Sequence, residues 1–194
     1  MEDHGVKGKK IARLVEVAAI LREVQAVSAF PPPRVLVVGE VNPYGVDPKF
    51  ALYPRPRHAS GNRLRAIMGL TDTAYMKFLD RANLCAGKWS APAARRAAED
   101  LVLLPYDVLI LLGAKVRGAF DGPAPFKQFV SMEYRLVGLP HPSGRCRTWS
   151  DPGAAERARE VLAKAAPWVP WGMVGMRDEL VKTGAECARG KGVQ

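Results

Sequence analysis

Cysteine is scarce in this chain. Cys85, Cys146 and Cys187 are an odd number at wide spacing with no Cys-x-x-Cys pair, so neither a disulfide framework nor a zinc knuckle is indicated. Long apolar runs are missing too: Val35 to Val38 and Val108 to Leu112 fall far below the roughly 20 residues that span a bilayer. Near the N-terminus Glu16 and Arg22 interrupt the apolar stretch that a secretory signal needs. The expectation is a cytoplasmic protein with no membrane partner. Acidic residues are in the minority: 19 Asp and Glu face 29 Lys and Arg, giving a net charge of +10 and a pI near 9.8. Such a surface attracts polyanions, and nucleic acid is the first candidate.

What is present is enough for one compact domain. The 194 residues are 48% hydrophobic, which allows a core without disulfides or a structural metal. From Ile11, the residues Leu14, Val15, Ala18, Leu21 and Val24 recur at helical spacing, so residues 1–30 are expected to hold an amphipathic helix. Pro31 to Pro33 end it, because proline lacks the amide a helix interior needs. The core is expected over residues 34–171, with a flexible Gly- and Lys-containing tail over 183–194.

Arg34 to Val38 is a β-branched run closed by Gly39, which predicts a strand buried on both faces. Val41 to Ser60 is rich in proline and predicts a long irregular loop of the kind kept for function. Further strands are expected at Arg81–Cys85, Asp107–Leu112 and Tyr134–Leu139, with helices at Asn62–Leu70, Pro92–Leu103 and Asp151–Ala166. The last opens Ser-Asp-Pro-Gly, which puts proline in the first turn. Phe126 to Val130 is too short to assign, and Trp168 to Trp171 is expected to pack back on the body. Alternating strands and helices argue for a parallel sheet covered on both faces, with ligands bound beyond the carboxyl ends of the strands.

Two polar, proline-stiffened loops follow such strands: Gly39-Glu-Val-Asn-Pro-Tyr-Gly45 and Leu139-Pro-His-Pro-Ser-Gly-Arg-Cys-Arg147. Proline rigidity would hold Asn42 and His141 in fixed poses, an amide able to hold a water and an imidazole able to donate a hydrogen bond.

Asn42-Pro43-Tyr44 and His141-Pro142-Ser143 resemble, in order and placement, the two signature motifs of the uracil-DNA glycosylase superfamily. The resemblance covers roughly Arg34 to Trp149. It implies an α/β fold, a three-layer α/β/α sandwich with a four-stranded parallel sheet. It also implies that Asn42 orients the attacking water, that Tyr44 packs on the flipped base with Gly39 and Pro43 of the same loop as further base contacts, and that His141 stabilises the base anion. Asn83, in Arg81-Ala-Asn-Leu84, falls where the family reads the base edge. One departure concerns the first motif, where the most efficient uracil enzymes carry Asp, because an amide cannot accept a proton from water as a carboxylate can. Glu40 is the alternative activator and resembles the Glu of the thermostable branch. That branch holds an iron–sulfur cluster on four cysteines, and three in this spacing do not provide its ligands, so no cofactor, metal or cluster is expected.

The resemblance places Arg145 and Arg147 where the superfamily inserts a loop into the duplex, as phosphate contacts or as fillers of the space left by the flipped nucleotide. Arg63, with Arg55, Arg57 and Arg65, adds charge around the first loop, and Ser143 is a donor to phosphate. His4 and His58 have no such company. Cys146 has no base placed to activate it, and Trp149 is read as packing.

Together these features predict a monomeric, monofunctional DNA glycosylase that leaves an abasic site after releasing uracil or a modified pyrimidine. No Schiff-base lysine is evident. Three alternatives stay open. One is an anti-phage glycosylase excising glucosylated hydroxymethylcytosine, suggested by Gly45 and the long loop after it; another is an inactive DNA-binding module of the same fold; the third is an enzyme acting on free nucleosides or nucleotides, whose binding would depend little on salt.

Overall fold

The computed structural model describes residues 33–42, 47–102 and 104–172. The chain divides into two units, Met1–Pro33 and Arg34–Gln194, and the architecture below is that of the second. The helix expected from Ile11 to Val24, the residues Pro43, Tyr44 and Gly45, and the 183–194 tail lie outside the described residues.

The strands are β1 (Val35–Val41), β2 (Leu79–Cys85), β3 (Val108–Leu112), β4 (Lys127–Val130) and β5 (Arg135–Leu139). The helices are α1 (Ser60–Met68), α2 (Asp72–Phe78), α3 (Ala91–Val102), α4 (Gly113–Ala119) and α5 (Ala154–Ala165). Sheet order is β2-β1-β3-β5-β4. The first four are mutually parallel, and β4 runs antiparallel to β5. The α/β class holds, but the sheet has five strands rather than four. The fifth arises because the chain reverses at Ser131, whose Oγ accepts from the amides of Glu133 and Tyr134. Its four residues are all exposed, so no burial pattern marks them in the sequence.

Side chains alternate across a strand, and both faces of β1 and β3 are covered. Val35, Val37, Val108, Ile110 and Leu112 join Leu64 and Met68 of α1 and Ala158 and Leu162 of α5. Leu36, Val38, Leu109 and Leu111 join Ala94 and Ala98 of α3 and Val116 of α4. The result is three layers, each large apolar side chain contributing about 1.5–3 kcal/mol of burial.

Local chemistry sets the helix ends. Gly69 closes α1 in the left-handed region at φ 65°, which glycine adopts without a Cβ penalty. Thr71 caps α2 by accepting from the Ala74 amide. Helix α5 begins at Ala154, later than expected. Asp151 Oδ1 accepts from Gly153 N–H at 2.9 Å, and this turn leaves Pro152 ahead of the helix instead of in its first turn. Trp168 and Trp171 do pack against the core.

The segment leading into α1 is held from beneath. Tyr75, fully buried, donates its hydroxyl to the Leu52 carbonyl at 3.0 Å, and Arg81 Nε donates to the Ala51 carbonyl at 3.2 Å. Burial pushes the Tyr75 phenol well above its ordinary pKa, so it stays a donor. Leu52 sits at φ 47°, a conformation costly for a branched residue, and its carbonyl lies where any Cβ on Gly61 would collide. Tyr75→Phe removes the donor and strands a buried carbonyl, which should cost about 1–3 kcal/mol. Urea denaturation should register the loss as a lower midpoint at unchanged m-value.

Candidate active site

The order β2-β1-β3 means that the chain leaves β1 toward one edge and later returns to the other side of β1. This reversal opens a crevice beyond the carboxyl ends of β1 and β3. A cleft of about 300 Å³ lies at that end of the sheet, lined by Glu40, Val41, Phe50, Leu52, Tyr53, Ala59, Ser60, Gly61, Asn83 and His141. Three residues singled out in the sequence, Glu40, Asn83 and His141, thus meet in one cavity although they lie far apart in the chain.

Gly113, the first residue past β3, is the seat on which two of them rest. Its φ is +89°, and a Cβ there would lie 3.1 Å from His141 Cβ and 3.3 Å from Glu40 Oε1. A Cβ would press on both groups more tightly than most side-chain contacts allow, and the positive φ itself favours glycine. The imidazole is oriented by its own loop: the Ser143 amide donates to His141 Nδ1 at 3.1 Å, and Trp149 Nε1 donates to the His141 carbonyl at 2.9 Å. With Nδ1 accepting, the neutral ring carries its proton on Nε2. Burial lowers the His141 pKa below its ordinary value, opposed by the Glu40 carboxylate and assisted by the Lys115 ammonium. The residue is therefore set up as a neutral N–H donor.

Asn83 belongs to β2 itself and pairs in register with Gly39 of β1. A Cβ on Gly39 would collide with Asn83 Oδ1, so the absence of a side chain there makes room for the amide at the cleft. Asn42, by contrast, is buried and donates its Nδ2 to the Asp47 carbonyl at 3.1 Å, tying the two ends of the 43–46 stretch together. Among the described residues it is Glu40 and not Asn42 that lines the cleft. The base-packing role implied for Tyr44 and Pro43 falls outside the described residues.

The basic residues separate into two groups. Arg65 bonds to Asp72 at 2.9 Å and to the Leu70 carbonyl, and Arg55 also pairs with Asp72, so these two brace the start of α2. Arg57, Arg63, Arg145 and Arg147 make no ion pair among the described residues. Arg63 lies against Gly144, its Nη1 3.1 Å from where a Cβ would stand, beside Ser143 and the exposed Arg145 and Arg147. Trp149 packs against the core and meets Phe126 edge to face. Unforeseen in the sequence were Phe50 and Tyr53, an edge-to-face pair 6.2 Å apart, together with Gly113 and Lys115, whose ammonium donates to Glu40 Oε2 at 3.1 Å. Phe50 and Tyr53 lie in the proline-rich loop, and that loop was the one available signal.

Among the described residues no group of three His, Cys, Asp or Glu is placed to hold a metal ion, and no helix is long and apolar enough to cross a membrane. Because the folded pKa of His141 lies below the unfolded value of 6.5, the unfolded chain binds more protons in the interval between them. Stability is then full above that value and declines as pH falls toward the folded pKa. Urea midpoints between pH 7 and 5 should fall less steeply for His141→Gln than for the wild type. No protein-family model matches this chain, and no curated protein does so either.

Proposed function

We propose that the protein is a monofunctional DNA glycosylase that flips a pyrimidine nucleotide and hydrolyses its N-glycosidic bond. The observation that carries this reading is His141 presented as a neutral Nε2–H donor in one cleft with Glu40 and Asn83. A departing pyrimidine collects negative charge on its ring nitrogen and exocyclic carbonyl oxygen, and a fixed N–H donor aimed at that oxygen stabilises the charge as it develops. Asn83 offers an amide to the base edge, and an amide can match both a donor and an acceptor there. The C–N bond breaks and the base leaves as an anion; water adds to the anomeric carbon and gives a proton to a carboxylate, and the base anion then takes up a proton from solvent, which leaves the free base and an abasic site. Glu40 suits that carboxylate role better than Asn42, whose amide is engaged with Asp47. The α/β sheet with its parallel centre is compatible with the α/β/α sandwich of the uracil-DNA glycosylase superfamily that the two motifs resemble.

DNA is the partner that the net charge of +10 favours, and Arg63, Arg145, Arg147 and Ser143 flank the cleft as phosphate contacts. A volume of about 300 Å³ stands at the lower end of the range of ligand pockets, about 300–1,000 Å³, in keeping with a single flipped nucleotide. A cytosine carrying a sugar on its 5-hydroxymethyl group is the second reading, and removing it would protect a host against modified phage DNA.

Abasic-site formation should be measured on matched DNAs bearing uracil, thymine, hydroxymethylcytosine or glucosylated hydroxymethylcytosine. The expected result is release from at least one, with His141→Ala slower by about 10²–10³-fold. Release from none, with DNA binding retained, would make the protein a binding module instead.

A further inference from the structure

Helix α4 starts directly from β3 at Gly113 and carries Lys115 to the same end of the sheet as Glu40. The ammonium donates to Glu40 Oε2 at 3.1 Å and lies 5.6 Å from the centroid of the Trp89 ring, so it is held from two sides. Glu40 Oε1 is the oxygen that borders Gly113 next to His141. Among the described residues Lys115 is the only hydrogen-bond partner of the Glu40 side chain. The pair is also placed to act on the imidazole. Among the described residues the charged side chains around the His141 loop are Glu40 from β1, Lys115 from α4, Arg63 from α1, which lies against Gly144, and the exposed Arg145 and Arg147 of the loop itself.

We propose that Lys115 is a positioning residue of the hydrolytic site, fixing Glu40 with Oε1 toward the attacking water and balancing the carboxylate's charge so that His141 stays neutral. This inference rests on the glycosylase reading above. It is distinct from a surface ion pair serving stability, because the lysine side chain is 55% exposed and pairs so placed add little to the fold. The opposed influences on His141, with Glu40 favouring the imidazolium and Lys115 disfavouring it, agree with this geometry. Removing the lysine leaves the carboxylate unbalanced, so the imidazolium gains on both counts.

The test compares Lys115→Met, which keeps an unbranched side chain of similar length without the charge, with Lys115→Arg, which keeps the charge. Three quantities are read: thermal midpoint, pH dependence of kcat and KM on whichever DNA is cleaved, and the His141 titration by NMR in the absence of DNA. The expected result for Lys115→Met is an unchanged midpoint and a kcat lower by about 10–100-fold, the scale of a misplaced catalytic group. KM should hardly move, the acid limb of kcat should shift to higher pH, and the His141 titration should move the same way. Lys115→Arg should recover most of the rate. A loss confined to KM would overturn the proposal in favour of a phosphate contact, and a wild-type rate would overturn it outright. If no DNA is cleaved by the wild type, the glycosylase reading fails by itself. The NMR titration still decides the coupling: an upward shift in Lys115→Met supports it and an unmoved His141 refutes it.

Discussion

A strand covered on both faces has no place for a polar side chain until it emerges from its cover. β1 and β3 obey this strictly: Val35 to Val38 and Val108 to Leu112 are all buried and all apolar. The first polar side chain of β1 is Glu40, and the chain leaving β3 passes at once into Gly113 and α4. A charged or amide group deeper in the sheet would carry the cost of desolvation without water to offset it. The chemistry is therefore crowded onto one edge, and the reversal of strand order at β1 and β3 turns that edge into a cleft.

Crowding is made tolerable by what is missing from two residues. Gly39 yields the space above β1 to the Asn83 amide, and Gly113 yields the space beyond β3 to His141 and Glu40. Neither glycine contributes a functional group. Each lets groups from different strands approach more closely than ordinary Cβ atoms permit, and at Gly113 the positive φ adds a second reason for that residue. His141 is then stiffened by bonds within its own loop, through Ser143 and Trp149, so that its orientation does not depend on a ligand being present.

How much of this could be read from the sequence followed from where each residue sits. β1 and β3 were legible because Val35 to Val38 and Val108 to Leu112 are continuous apolar runs that meet a glycine, whereas β2 and β5 were placed by the alternation of strands with helices. Glu40 and His141 were legible in the segments that follow such runs, and Asn83, which lies within β2, through the resemblance of the motifs. Lys115 was not, since Gly113-Ala-Lys-Val-Arg-Gly-Ala is too short and too rich in glycine to show helical periodicity, and nothing local relates it to Glu40, 75 residues away. β4 went unassigned because an edge strand exposed throughout leaves no alternation of burial to detect. Helix α2 did have a signal in Thr71-Asp-Thr, a capping residue with an acidic first turn, which the expectation of one helix ending at Leu70 passed over. Arg65 and Arg55 resembled a steering cluster in composition, and only the position of Asp72 in space assigns them to bracing.

The wall of the cleft opposite the sheet has a different origin from its floor. Phe50, at the end of a short 3-10 helix (Pro48–Phe50), and Leu52 and Tyr53 after it stand on a segment that hangs from Tyr75 and Arg81 by bonds to two main-chain carbonyls, those of Leu52 and Ala51. Main-chain anchors are indifferent to the side chains they carry. Substitutions and changes of length between Asp47 and Ala59 can thus remodel the shape of the cavity while the strand-borne groups keep their geometry. Divergence within a lineage built on this scaffold would change what enters the cleft sooner than what is done to it.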